Sequence, residues 1–215
     1  AYLQIVEFES AMSSLFFDAL KDPLYTRAVG DARRRSAQSA LLHVLARLLT
    51  VIAPVLSFTA EEAWQSLPPF VRERSSSVFD TSFDAGRPRG AGADDDFALW
   101  QLLRDLRARV AATASPRDYE AQLRLTVTPS LHKRLRALGD NLREALIVSH
   151  LDLRQAEGGE GAGDVLGFEL KRAEGEKCAR CWKYRTLGSD PAHPTICEDC
   201  AHVVRGLEPI HAPQK

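Results

Sequence analysis

Apolar residues recur at steps of three and four from Tyr2 to Leu20, where Ile5, Phe8, Met12, Leu15, Phe16 and Ala19 share one side of a helix. Pro23 and Gly30 in "KDPLYTRAVGD" punctuate that pattern and predict its end. A second helix is predicted from about Ala32 to Ile52, on Ala37, Leu41, Val44, Leu45, Leu48, Leu49 and Ile52, with Pro54 as its stop. "SFTAEEAW" restarts a helix with Thr59 as N-cap and Glu62 closing a capping box, and Pro68-Pro69 ends it. Residues 70 to 93, rich in Ser, Gly, Arg and Asp, read as a surface excursion. A fourth helix opens at Asp94–Asp96, whose carboxylates suit its positive end, and continues through Leu99, Leu102, Leu103, Leu106 and Val110. Four amphipathic segments joined by loops predict an antiparallel helical bundle. Trp64 is expected in its core and Trp100 at its edge.

Beyond "ATASPRD" the period changes to two. Leu123, Leu125 and Val127 alternate with polar residues, which predicts a strand with one buried face. Short helices follow around Ser130–Leu138 and Asn141–Leu146. "ALIVSHLDL" and "VLGFELKRA" read as strands on either side of the Gly-rich turn "EGGEGAGD". The predicted fold class is therefore mainly α, an antiparallel helical bundle followed by a small α+β domain that ends in a four-cysteine zinc knuckle. The expected domains are 1–114, 115–173 and 174–205, with 206–215 as a tail.

Composition narrows the functions open to this chain. Its 215 residues are 45% hydrophobic with a net charge of -1, so any anionic partner must be met by a local patch rather than by the overall field. No run of about 18 apolar residues predicts a membrane span. The absence of a secretory pattern predicts a cytoplasmic protein. The chain opens mid-pattern without an initiator Met, which is the expectation for a piece of a longer protein.

All four cysteines sit near the end of the chain, as Cys178-x-x-Cys181 and Cys197-x-x-Cys200 separated by fifteen residues. That spacing is the signature of a zinc site, because each short turn presents two thiolates to one side of a tetrahedral ion. A closed shell of four sulfurs leaves no position for water or substrate, so the zinc is expected to be structural. Paired disulfides are the competing reading, disfavoured by the cytosolic character of the chain. His193 lies between the pairs and reads as a loop residue.

The flanks of the knuckle are basic. Lys171, Arg172, Lys177, Arg180, Lys183 and Arg185 stand against Glu174 and Glu176, a local charge of +4, with Trp182 and Tyr184 interleaved. Cations neutralise phosphates, and an exposed indole offers a face to an unpaired base. The bland alternative makes Trp182 a lid on the metal site and the cations merely solvated. Arg33 and Arg34, in the Arg33-Arg34-Arg35 run, are further candidates for a phosphate backbone. Lys21-Asp22 suggests a polar brace between helices or an RNA contact. His43 and His150 lack metal-like partners, and no nucleophile arrangement stands out, so no catalytic residue is assigned.

"GEKCARCW" with its second C-x-x-C resembles the C-terminal zinc motif of bacterial isoleucyl-tRNA synthetases. "SLFFDALKDPLYT" is similar to that family's "S-F-Y-L-D-I-I-K-D-R-L-Y-T". "RRRSAQSALLHVLARLLTVIAPVLSFTAEEAW" resembles its "R-R-S-x-Q-T-x-L" helix and "A-P-I-L-S-F-T-A-E-E-x-W" turn. The resemblance implies an anticodon-binding domain, a junction domain and a zinc module, with isoleucine tRNA and the catalytic domains of a longer chain as partners. It implies a monomer whose parent enzyme uses ATP and isoleucine elsewhere. Signatures of the type H-x-G-H and K-M-S-K-S are absent, so these residues are expected to do no chemistry. Of the family's "K-x-I-G-x-S-L-E-A" segment only Glu120-Ala121 corresponds, which predicts a shorter loop. Duplex DNA binding through a DNA-repair-glycosylase-type finger and a protein-interaction zinc module are the rival functions.

Overall fold

The computed structural model describes residues 2–72, 75–82, 92–113, 115–116, 118–156 and 164–206. In chain order its elements are α1 (Tyr2–Ala11), a π turn (Met12–Phe17), α2 (Asp18–Thr26), α3 (Ala32–Ile52), α4 (Ser57–Gln65), α5 (Pro69–Arg72) and α6 (Ala93–Ala111). Then come β1 (Ala121–Val127), α7 (Pro129–Ala137), α8 (Asp140–Leu146), β2 (His150–Gln155), β3 (Val165–Arg172), β4 (Glu176–Lys177), β5 (Tyr184–Arg185) and α9 (Glu198–Arg205). The chain divides into two compact units, one drawing on Ala1–Val29 and Phe97–Lys215, the other on Gly30–Asp96.

The larger unit is built around β1. Its odd positions Leu123, Leu125 and Val127 are buried among Leu131 and Leu135 of α7, Leu142 and Leu146 of α8, and Leu103, Leu106 and Val110 of α6. Each such side chain contributes roughly 1.5–3 kcal/mol on burial. The apolar face of α6, predicted as the fourth bundle helix, thus packs in the core of the sheet. The strand order is β2-β1-β3, with β2 parallel and β3 antiparallel to β1. A parallel pair needs a crossover, which α7 and α8 supply. Thr128 caps α7 with Pro129 in its first turn, a favourable start for a helix. The outer side of the sheet is polar, with Arg124 bridging Asp152 at 2.9 Å and Glu169 at 3.2 Å.

Two predicted boundaries shift in this unit. Pro23 does not end the first helix: it lies buried inside α2, which follows the π turn directly and runs to Thr26. An internal proline removes one helical hydrogen bond. Here the turn is held by its neighbour Asp22, whose carbonyl and carboxylate accept from the Thr26 hydroxyl at 2.8 and 3.2 Å. The strand predicted from Ala145 begins only at His150, because Ala145 and Leu146 finish α8 and Ile147 turns the chain in the left-handed region (φ 53°).

The smaller unit has its own core, formed by Leu49, Ala53, Ala60, Trp64, Leu67 and Val78. Asp31 caps α3 by accepting from the backbone N–H groups of Arg33 at 2.9 Å and Arg34 at 3.2 Å. The capping box predicted at Thr59 does not form: α4 starts at Ser57, and Thr59 lies inside it. Glu61 instead accepts from the Ser77 hydroxyl at 2.8 Å and the Val78 N–H at 3.0 Å, anchoring the turn that inserts Val78 into the core. A hydrogen bond from Gln65, then those from Ser77 and Val78, hold the Glu61 carboxyl below the usual carboxylate range. Trp64 is in the core as expected and donates its indole N–H to Ser75 O at 3.2 Å. Of the excursion expected over 70 to 93, residues 73–74 and 83–91 lie outside the described residues, as do the Gly-rich turn at 157–163 and the tail at 207–215.

Candidate metal centre and nucleic-acid interface

The last part of the larger unit is a knuckle between β4 and β5 joined to α9. Gly175 starts it in the left-handed region (φ 96°), and a Cβ there would stand 2.7 Å from the carbonyl oxygen of Arg185. Only glycine lets the two short strands close at that point. Cys178 N–H donates to Lys183 O at 2.9 Å and Trp182 N–H to Cys178 O at 2.9 Å, folding the first C-x-x-C into a tight turn. Cys197 stands at the N-cap position of α9, and Cys200 lies in that helix's first turn. An N-terminal helix end favours negative charge, here thiolate.

The four cysteine Sγ atoms lie within 4.8 Å of one another, and all four residues are buried. Cys181 Sγ and Cys197 Sγ are 3.8 Å apart. A tetrahedral zinc with Zn–S bonds of about 2.3 Å has edges of about 3.8 Å, so the donor set fits the ion. Cys197 N–H reaches Cys178 Sγ at 3.3 Å, as expected of a thiolate acceptor. The hydrogen bond shared with Cys200, and then burial, push the Cys181 thiol far up; burial pushes Cys197 up to about 11. Burial acts on Cys178 in the same sense, but the backbone N–H groups of Cys181, Cys197 and Arg180 outweigh it and bring this thiol down to about 6. Four thiolates this close need a cation to ionise together. All four predicted ligands therefore come together, while His193 is not part of the cluster.

The cations around the knuckle separate into two groups. Lys183, expected to face RNA, is 5% exposed, and its ammonium is bound to Asp22 Oδ2 of α2 at 2.5 Å. Arg180 is also turned inward: it donates to Thr26 O at 2.6 Å and Tyr25 O at 3.4 Å, capping the carbonyl end of α2. A helix of this length leaves its last carbonyls without internal partners, and a guanidinium satisfies them. The brace suspected at Lys21-Asp22 thus exists at Asp22 alone, directed at the knuckle, whereas Lys21 is exposed beside Asp18. Arg185 is half-buried and 3.5 Å from Asp199. Lys171 and Arg172 are exposed at the end of β3. Arg33 and Arg34 belong to the smaller unit, in the first turn of α3.

Trp182 is no lid on the metal site. It is 62% exposed, with a left-handed backbone (φ 64°), and Lys177 Nζ stands 5.6 Å from its ring centroid. Trp182 lines a concavity of about 830 Å³ together with Tyr25, Lys21, Lys177, Tyr119 and Tyr184. Burial, followed by the nearby Asp22 and Glu144 carboxylates, pushes the Tyr119 phenol up, which keeps it a proton donor at neutral pH. Tyr25 and Tyr119 were not singled out by the sequence reading. Tyr25 follows Asp22 by three residues, so only its place in the "KDPLYT" stretch signalled it.

Two family models match the chain. One, the anticodon-binding domain of tRNA ligase, covers residues 1–120; the other, a zinc finger found in FPG and IleRS, covers residues 175–203. The chain is also similar to the isoleucine–tRNA ligase of Desulfovibrio desulfuricans, 39% identical over 216 residues that cover 92% of this chain and 22% of the relative. The corresponding enzyme of Lawsonia intracellularis is 35% identical over 92% of the chain and 22% of the relative. That of Ralstonia pickettii is 36% identical over 88% and 20%. The chain spans about a fifth of the length of these relatives. With the helical match extending over 120 of 215 residues, and a closed four-cysteine knuckle where the finger is matched, this chain belongs to the anticodon-binding domain family of tRNA ligases.

Proposed function

We propose that this chain holds the anticodon arm of isoleucine tRNA within an isoleucine–tRNA ligase, a longer cytoplasmic enzyme that joins isoleucine to its tRNA using ATP on other domains. The helices of residues 1–114 serve as the anticodon-binding bundle, 115–173 as the junction and 174–205 as the zinc module. The zinc, held by Cys178, Cys181, Cys197 and Cys200, is a structural ion that shapes the turn carrying Trp182. The enzyme works as a monomer.

The observation that carries this reading is the exposed indole of Trp182 at the rim of the 830 Å³ concavity, on a knuckle of a family-matched finger. A splayed anticodon base stacks on such a face, a contact worth about 1–3 kcal/mol per base. Lys177 and Lys21 at the concavity, with Lys171 and Arg172 on β3, neutralise phosphates; Arg33 and Arg34 do so from the smaller unit. Arg185 stays near enough to the surface to assist; Lys183 acts inside the protein, and Arg180, half-buried in the wall of the same concavity, is engaged by the end of α2. In this role the outer charge and the inner charge of one short segment do different work.

The test is a titration of the 215-residue chain with isoleucine tRNA, a non-cognate tRNA and duplex DNA at one fixed salt concentration. The expected order of affinity is cognate tRNA, non-cognate tRNA, duplex DNA. A preference for duplex DNA contradicts the reading and favours a repair-enzyme-type finger.

A further inference from the structure

The turn that displays Trp182 is stapled to α2 on both sides of the indole. Two positions before Trp182, Arg180 binds the last carbonyls of α2, Thr26 O at 2.6 Å and Tyr25 O at 3.4 Å. One position after it, the buried Lys183 ammonium binds the buried Asp22 carboxylate of the same helix at 2.5 Å and lies 5.9 Å from the Tyr119 ring centroid. A third tie joins the next residue: Tyr184 N–H donates to the buried Ser149 hydroxyl at 2.8 Å. Trp182 itself sits in a left-handed conformation that a bulky residue seldom adopts (φ 64°), so the surroundings must over-determine it. Within the knuckle the turn is closed by Trp182 N–H donating to Cys178 O and Cys178 N–H donating to Lys183 O, both at 2.9 Å, but those bonds leave the whole turn free to move relative to α2. The contacts of Arg180 and Lys183 remove that freedom, and both end on one turn of α2.

We infer that Asp22, with the Arg180 cap on the same helix end, is a positioning residue for Trp182: it sets the direction of an indole from 160 residues upstream. The inference rests on the reading that Trp182 faces RNA. It assigns the acidic residue of "KDPLYT" a role in recognition although the residue is buried and cannot touch RNA. The staple is directional because an ion pair and two carbonyl hydrogen bonds fix angles as well as distance, which apolar packing at the same place does not.

The test uses the zinc-loaded chain labelled with 5-fluorotryptophan, whose three tryptophans give three 19F resonances; the Trp182 line is identified by its loss in W182F. Two variants loosen the staple. D22L/K183M replaces the buried pair by apolar side chains, and R180M removes the cap of α2. Each is expected to keep one zinc per chain and the Trp64 line unchanged, to shift or broaden the Trp182 line, and to weaken binding to the isoleucine anticodon stem-loop about tenfold. Added to W182A, neither is expected to weaken binding further. If one variant does not fold, the other carries the measurement. An unmoved Trp182 line in the folded variants overturns the inference, and so does a loss of affinity that adds in full to that of W182A. Should W182A alone bind as tightly as the unmodified chain, the RNA-facing reading fails, and the 19F line by itself decides whether the staple exists.

Discussion

The zinc knuckle and the α3–α4 unit are held together by different forces. In the smaller unit Trp64, Leu49, Leu67 and Val78 close an apolar core, and the hydrogen bonds of Asp31 and Glu61 finish its edges. In the knuckle the buried cluster consists of the four cysteines, Ile196 and Ala201, with Leu187 and Val204 packed against it among the described residues. That is too little apolar surface to order some thirty residues, since each ordered residue costs on the order of 1–2 kcal/mol of backbone entropy. The metal therefore has to supply what burial does not. One region closes on side-chain volume, the other on four cysteines that fit a zinc ion and on ionic ties to α2.

The largest break in this contrast comes from metal removal. Structural zinc contributes on the order of 10 kcal/mol of apparent folding free energy to small modules at neutral pH. Chelation is expected to abolish amide protection across residues 176–206 while leaving α3 and α4 protected, as read by hydrogen exchange. Acidification acts in the same sense. Cys197 and Cys181 hold their protons strongly when no ion is present, so binding releases protons and zinc affinity falls as pH falls. A zinc affinity that is flat between about pH 8 and pH 6 contradicts the thiolate shell.

Trp64→Ala should give the mirror image. It removes the largest side chain of the smaller core and is expected to cost about 3–5 kcal/mol in denaturant unfolding of that unit, with zinc content unchanged. Asp22→Ala leaves the Lys183 ammonium buried without its partner, and about 3–5 kcal/mol is expected to be lost from the larger unit. Gly175→Ala meets the Arg185 carbonyl oxygen and a positive φ; about 1–3 kcal/mol is expected, together with weaker zinc retention. Asp31→Ala, which strips the cap of α3, should cost about 1 kcal/mol and leave the knuckle untouched.

The parts of the molecule that were legible beforehand are those coded locally. The Cys178, Cys181, Cys197 and Cys200 spacing contains the whole metal geometry within 23 residues. The period of α3 identifies its span, and the alternation of Leu123, Leu125 and Val127 identifies the buried face of β1. Misreadings fall where a distant partner overrides a local signal. Pro23 stays inside α2, where the buried Asp22 beside it bonds Thr26 and is also tied to Lys183, 161 residues away. Glu62 reads as the capping partner of Thr59, yet α4 starts two residues before Thr59, and Glu61 beside Glu62 serves a turn 16 residues further on. Lys183 and Lys177 look alike in a basic stretch. Only the fold buries the first and exposes the second, so charge alone could not separate the staple from the surface.

In the proposed role, zinc shapes the turn that presents Trp182 to RNA. The most direct measurement compares the zinc-loaded and the chelated chain for affinity toward the isoleucine anticodon stem-loop at one salt concentration, with circular dichroism confirming that the helices persist. Chelation is expected to lower the affinity about tenfold or more, the scale of one lost base stack, and W182A to be weakened when zinc-loaded but not further when chelated. Equal affinity with and without zinc, the helices being intact in both, would contradict it.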